Sequence, residues 1–227
     1  QVMDDRKEMT LDGFYKEWNS ALSTVIVNTS GSTGKPKSIR VEKSRMIESA
    51  KMTCSFLGLT SDDSALLCMP LRYIAGKMVV VRTIVSGMRL ISIPPTSHPL
   101  KDLEDIPTFA AMVPMQVFNS LSVPEEADKL KRIKNLIIGG GPVNDLLYSK
   151  LQHFPNAVWS TYGMTETLSH IALRRLNGAS ASEHYYPFPS VKLSLSAENT
   201  LIIDAPLVCD ETLQTNDIAR IYPDGSF

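Results

Sequence analysis

The sequence predicts an α/β fold: a mostly parallel sheet flanked by helices over residues 1–176, then a small β subdomain over 177–227. Three observations lead there. Short β-branched runs alternate with helical periods as far as about Leu176, the signature of strand–helix–strand crossovers. The stretch 177–190 (NGASASEHYYPFPS) is rich in small residues, Pro and aromatics, and only short strand-like runs separated by turn residues follow it. The 227 residues are 43% hydrophobic and 21% charged, enough to build a core without disulfide or metal staples and too apolar for a disordered chain.

Taken in order, Leu11, Phe14, Trp18 and Leu22 are spaced three, four and four apart, which predicts an amphipathic helix over 10–22. Val25–Val27 is a short strand. Met46, Ala50, Cys54 and Leu57 share one face of a helix over 44–58. Ala65–Met69 is a buried strand stopped by Pro70. Lys77–Val85 suits a helix, and its β-branched content suits a strand as well. Arg89–Ile93 and Phe109–Val113 are strands, Met115–Leu121 and the charged Glu125–Arg132 are helices, and Asn135–Ile138 is a strand. Asn144 is placed to cap a helix reaching His153, and Ala157–Thr161 is a further strand. Val191–Leu195, Thr200–Ile203 and Ile218–Ile221 are the strands of the small subdomain, and Tyr222–Gly225 is a turn.

Charge and rare residues exclude several classes. Lys+Arg is 23 against 24 for Asp+Glu, a net charge of -1, which does not suit a strongly basic nucleic-acid binder. Cys54, Cys68 and Cys209 have no C-x-x-C spacing and are expected as buried thiols. His98, His153, His170 and His184 lack zinc-ligand spacing. The polar start (QVMDDRKEMT) has no apolar run behind it, and the most apolar stretches, such as Met78–Val81, are too short for a bilayer, so a cytoplasmic protein with no membrane partner is expected. The first residue is Gln, and the chain stops just past a turn, so a fragment is also expected.

The chemistry concentrates in Thr29-Ser30-Gly31-Ser32-Thr33-Gly34-Lys35-Pro36-Lys37. Glycines let successive backbone N–H groups approach a ligand, hydroxyls add donors, and lysines add charge, a combination that suits a polyphosphate. A mobile surface loop has a similar composition. Pro36 follows Gly-Lys where a Walker loop needs Ser or Thr, so this is not that motif.

This stretch resembles the phosphate-binding motif of the adenylate-forming superfamily of acyl-CoA synthetases, luciferases and adenylation domains. Further segments resemble that family in the same order: Pro70–Gly76 (PLRYIAG), Gly139-Gly140-Gly141-Pro142, Tyr162-Gly163-Met164-Thr165-Glu166 and Thr215-Asn216-Asp217. The resemblance implies the family's large N-terminal domain, truncated, with the C-terminal domain and its catalytic lysine absent from this chain. It implies that Glu166 holds Mg²⁺ on the ATP phosphates, Thr165 donates to the α-phosphate, and Lys37 pairs with departing pyrophosphate. Gly139–Pro142 would line the adenine, Tyr162 would stack on it beside Gly163, and Asp217 would accept both ribose hydroxyls. Asn216 stands where the family has Gly; Asn tolerates positive φ, so the turn is expected to persist. Tyr73 stands where His is frequent, between the acyl and nucleotide pockets.

Within the superfamily, Pro70–Ser86 and Thr167–His170 are similar to the o-succinylbenzoate–CoA ligases of menaquinone biosynthesis. That likeness implies ATP and CoA as co-substrates, with Arg82 anchoring the carboxylate that is not activated, and Ser169 and His170 near the aryl ketone. Arg82 also suits a side chain snorkelling off a helix face. Other acyl- or aryl-CoA synthetases, amino-acid adenylation domains and a non-catalytic nucleotide-binding module remain alternatives, and homo-oligomerisation stays open. Pro70–Ser92 holds no acidic residue to receive a substrate amine, which weighs against an amino-acid activator.

Overall fold

Local sequence signals set the element ends. The computed structural model describes residues 9–28 and 38–227. Helix α1 (Leu11–Trp18) begins where the Thr10 hydroxyl accepts a hydrogen bond from the Gly13 amide, and it buries Phe14. Strands β1 (Thr24–Asn28) and β2 (Ser38–Glu42) pair antiparallel, with Asn28 opposite Ser38. Helix α2 (Lys43–Leu57) ends at Gly58 and α3 (Ile74–Ser86) at Gly87, glycines with φ of 63° and 76° that accept the left-handed turn other residues resist. Between and after these lie β3 (Ser64–Leu67), β4 (Arg89–Ser92), β5 (Phe109–Met112), α4 (Pro114–Leu121) and α5 (Pro124–Arg132). Then come β6 (Asn135–Ile138), α6 (Asp145–Leu151), β7 (Ala157–Gly163), β8 (His170–Arg175) and β9 (Tyr186–Pro187). As expected, Asn144 caps α6, accepting from the Leu147 amide.

The large sheet has the order β4-β3-β5-β6-β7-β8-β9, with β4 through β7 parallel and the last two strands antiparallel. Its alternating side chains feed two cores. Ala65, Leu67, Phe109, Ala111 and Ile137 face one core with α1, α2 and α3. Leu66, Ala110, Met112, Leu136 and Ile138 face the other, with α4, α5 and α6. A second sheet of β10 (Lys192–Leu195), β11 (Thr200–Asp204) and β12 (Leu213–Ile218) sends Leu201 and Ile203 into the first core. No helix among the described residues is long and apolar enough to cross a membrane.

Several details differ from the sequence reading. Strand β2 was not expected, because its alternation is short and mostly exposed. Residues 170–175 form an antiparallel strand that returns along β7. The last strand is Leu213–Ile218 rather than Ile218–Ile221, so Thr215-Asn216-Asp217 falls within a strand, at an irregularity in its pairing. Asn216 therefore needs no positive φ; among the described non-glycine residues, Leu168 and Asn199 have it. The pairs on either side, Ile202 with Gln214 and Thr200 with Ile218, hold the segment in the strand, and the register shifts across Thr215–Asp217. The turn at Tyr222–Gly225 forms as expected and returns Phe227 to pair with Tyr185.

One buried ion pair ties the first elements together. Lys77 of α3 is fully buried and donates to Glu17 Oε2 at 2.7 Å, while Glu17 Oε1 accepts from the Ile26 amide at 2.7 Å. The ammonium also lies 4.8 Å from the centroid of the Phe14 ring. Burial lowers the Lys77 pKa, and Glu17 opposes that shift. The two partners should respond unequally to removal. Glu17→Ala strands a buried ammonium and should lose about 3 kcal/mol or more of stability. Lys77→Met leaves a partly hydrated carboxylate still bonded to Ile26 and should lose clearly less. Urea midpoints at constant slope measure both.

Candidate functional site

Chain connections open the site. The crossover from β3 to β4 runs through α3 on one face of the sheet, while those from β5 to β6 and β6 to β7 run through α4, α5 and α6 on the other. Connections that leave a sheet in opposite directions create a crevice at the strands' carboxyl ends. There the structure has a cavity of about 450 Å³. Met69 and Pro70 after β3, Val113 after β5, Gly139 and Gly140 after β6, and Thr161 and Gly163 of β7 line it.

Backbone dominates the wall at β6 and β7. Gly140 has φ +77°, and a Cβ on Gly139 would stand 2.4 Å from Thr161 Oγ1. A Cβ on Gly163 would stand 2.3 Å from the Ser169 carbonyl oxygen and 2.5 Å from His170 Cα, so only glycine allows the β7–β8 reversal to close this tightly. Within that reversal Leu168 is held at φ 63°, and the Thr167 hydroxyl accepts from the Met164 amide and lies 2.7 Å from the Ser169 carbonyl, to which it can donate. The loop so formed carries Thr165 into the cavity lining and leaves Glu166 exposed beside it. Gly141 and Pro142 continue past the lining residues. Tyr162 donates to Asp217 Oδ2 at 2.6 Å, joining β7 to β12. Burial, and then Asp217, push the Tyr162 pKa up, so its hydroxyl stays a donor.

The opposite wall is α3 and the end of the reversal. Tyr73, Arg82, Ser169 and His170 all line the same cavity. Arg82 is 2% exposed; its Nη2 donates to Ser169 Oγ at 2.7 Å, and its Nε has no partner among the described residues. Burial pushes its pKa down to about 10, so it remains a cation at neutral pH. This places Arg82 in the cavity wall, not snorkelling off the helix. His170 contacts Thr53 Oγ1 through Nε2 at 3.0 Å and Ser169 Oγ through Nδ1 at 3.3 Å. Burial and then the neighbouring Arg82 hold its pKa well below 6.5, so it is neutral.

Thr29, Ser30, Gly31, Ser32, Thr33, Gly34, Lys35 and Lys37 lie outside the described residues. Their flanks are described: Asn28 lines the cavity, its amide donates to the Arg72 carbonyl at 3.0 Å, and its Oδ1 accepts from the Ser38 hydroxyl at 2.8 Å. Asn28 is bridged to Tyr73 and paired with Ser38, so the described residues on both sides of 29–37 lie beside the segment carrying Tyr73. Sequence reasoning missed Asn28, which lines the cavity, and Thr53, which is buried behind His170; a lone polar residue at a strand end or on a helix gives no signal of what it meets. An exposed carboxylate at Glu166 beside the cavity fits Mg²⁺, which takes one or two carboxylates and completes its shell with water and phosphate oxygen.

Two outcomes follow. Gly163→Ala forces backbone apart at the reversal and should cost about 2–3 kcal/mol, read from the urea midpoint. Below about pH 6.5 the unfolded chain binds a proton at His170 that the folded chain refuses, so the histidine's contribution is complete above that pH and is lost as pH falls through it. His170→Gln should therefore show a shallower fall in stability than the wild type between about pH 6.5 and 5, measured by urea titration at each pH.

Comparison with known proteins agrees with this geometry. The family described as AMP-binding enzyme matches residues 15–207. A solved structure from Dyadobacter fermentans, an acyl-CoA synthetase (AMP-forming)/AMP-acid ligase II-like protein, is 36% identical with a TM-score of 0.88, covering 94% of this chain and 61% of that one. The o-succinylbenzoate coenzyme A synthetase of Bacillus subtilis, solved with ATP and magnesium ion, shares the fold at a TM-score of 0.71 and 22% identity, covering 88% of this chain and 48% of that one. The 2-succinylbenzoate–CoA ligase of Bacillus cereus (strain AH820) is 29% identical over 175 residues, which are 75% of this chain and 36% of that relative. The chain thus spans little more than a third of that curated relative's length. With the sheet, the crevice and the match over residues 15–207 in agreement, the chain belongs to the AMP-binding enzyme family.

Proposed function

We propose that the protein to which this chain belongs is an AMP-forming acid–thiol ligase that activates o-succinylbenzoate as an acyl adenylate and transfers the acyl group to CoA. One observation carries the reading: a single cavity is lined both by Thr165 and the Gly139–Gly140 backbone and by a buried guanidinium whose Nε has no partner among the described residues. The first set suits a nucleotide, and the second suits an anionic group at the far end of an acid. The ligase names of the relatives support the same reading.

In the first step a carboxylate oxygen attacks the α-phosphorus of ATP, and the bond to pyrophosphate breaks. In the second the CoA thiolate attacks the acyl carbon, and AMP leaves. Neither step needs a protein nucleophile; both need charge neutralisation and alignment. On this reading, residues 29–37 grip the triphosphate, with Lys35 and Lys37 offsetting its charge and Lys37 placed for the departing pyrophosphate. Thr165 donates to the α-phosphate, and Glu166 holds Mg²⁺, which supplies Lewis-acid neutralisation of the phosphates when bound. Gly139–Pro142 and Gly163 accept the adenine at backbone distance, Tyr162 stacks on it, and Asp217 receives the ribose while also accepting from Tyr162. Arg82 holds the carboxylate that is not activated, Ser169 and His170 sit beside it, and Tyr73 separates the acid from the nucleotide. Residues 1–176 then carry the nucleotide and acid walls, and 177–227 bring Asp217 to close them. A C-terminal domain outside this chain would supply the family's catalytic lysine, and a cytoplasmic setting suits these substrates.

Pyrophosphate exchange by the full-length protein tests the reading against a panel of aromatic, fatty and dicarboxylic acids. Exchange that depends on o-succinylbenzoate is expected. Arg82→Met, which keeps the packing volume, should raise the KM for that acid at least about 30-fold, the loss of about 2 kcal/mol or more expected for removing one side of a buried charge pair. An unchanged KM would remove the substrate assignment, and exchange with no acid on the panel would favour a nucleotide-sensing module.

A further inference from the structure

The polar groups behind Arg82 form a row whose hydrogens can be followed one at a time. A guanidinium only donates, so the Arg82 Nη2 contact uses Ser169 Oγ as acceptor. At the other end, the Thr53 hydroxyl lies 3.3 Å from the carbonyl of Ser49, one turn back on α2, and a carbonyl only accepts. Thr53 has one hydrogen and spends it there, so its contact with His170 Nε2 requires the hydrogen to sit on Nε2. In a neutral imidazole Nδ1 is then bare, and it accepts the Ser169 proton. All four contacts are satisfied together only in this order. The other tautomer would take the Thr53 hydrogen from Ser49 and turn the Ser169 proton loose into the cavity.

We propose that Thr53 is a positioning residue for the acid end of the cavity. Its hydroxyl, anchored on Ser49, fixes neutral His170 as the Nε2–H tautomer, and His170 fixes Ser169 as a constant acceptor for the guanidinium. Thr53 sits on α2, and none of its neighbours in sequence belongs to a motif read above. The consequence is selectivity. With the Ser169 proton turned away, the hydrogens offered at this end come from the Arg82 guanidinium, whose Nε has no partner among the described residues. The cluster therefore takes an acceptor-only anion, a carboxylate, and repels an ammonium group. This inference rests on Arg82 anchoring a second carboxylate, and it adds the group that holds the anchor in place.

The test uses the full-length protein labelled with ¹⁵N-histidine. In the wild type, NMR should show His170 with hydrogen on Nε2 and a bare Nδ1. Thr53→Ser keeps the hydroxyl and should keep that pattern. Thr53→Val should mix the tautomers and raise the KM for o-succinylbenzoate about 5- to 10-fold, the effect of about one hydrogen bond, with the KM for ATP and the rate at saturating acid within about twofold of wild type. A wild-type His170 carrying hydrogen on Nδ1, or on both nitrogens, overturns the proposal without any variant, which covers the case in which Thr53→Val does not fold. A Thr53→Val protein with wild-type spectrum and KM overturns it too, as does a Thr53→Ser protein that loses the tautomer. If Arg82→Met leaves the acid KM unchanged, the carboxylate-anchor reading fails by itself, while the spectrum still reports on Thr53.

Discussion

A guanidinium sealed into an apolar helix sets the terms for the rest of the site. Arg82 lies in a run of buried residues on α3, and no acidic side chain pairs with it among the described residues. Taking such a cation out of water costs several kcal/mol unless opposing charge and hydrogen bonds are supplied. The fold supplies one neutral acceptor, Ser169, and leaves the rest of the group facing a cavity. Holding that acceptor in place requires the narrow β7–β8 reversal. That reversal in turn requires Gly163, whose Cβ would overlap the backbone, and Leu168 in a conformation that costs an ordinary side chain about 1–2 kcal/mol.

The same helix carries a second buried cation, treated in the opposite way. Lys77 and Arg82 are five residues apart, about 140° around the helix axis, so they face different neighbours. Lys77 meets Glu17 and the Phe14 ring and is satisfied within the protein. Arg82 meets a hydroxyl and a cavity. A paired cation fastens α1 and β1 to α3; an unpaired one gives the cavity its charge. The burial of both makes α3 at once a core helix and a wall.

The nucleotide side rests on backbone rather than charge. Parallel strands ending side by side bring Gly139–Gly140 and Tyr162–Thr165 to one edge, since β6 and β7 are neighbours in register. The small sheet reaches that edge through the hydrogen bond from Tyr162 to Asp217 and shares a core with the first layer. Membership of the AMP-binding enzyme family therefore shows in the placement of these turns, and relatives near 22% identity keep the fold.

Periodicity and punctuation were enough to read most elements from the sequence: the alternation of β3, β5, β6 and β7 with helices, and the Asn144 cap. Motif order named Tyr73, Gly139 and Thr165 as candidates, and the likeness to o-succinylbenzoate–CoA ligases added Arg82 and His170. These signals are local, because capping, strand length and glycine conformation depend on a few adjacent residues. Strand β12 was misread because Thr-Asn-Asp favours a turn, and only the pairs to β11 on either side of it hold the segment in a strand. Thr53, Glu17 and the burial of Lys77 were invisible, because their partners lie 117, 9 and 60 residues away. Whether a polar side chain meets water, a partner or a cavity is decided by what packs against it, and only the tertiary structure brings those distant groups within hydrogen-bonding distance.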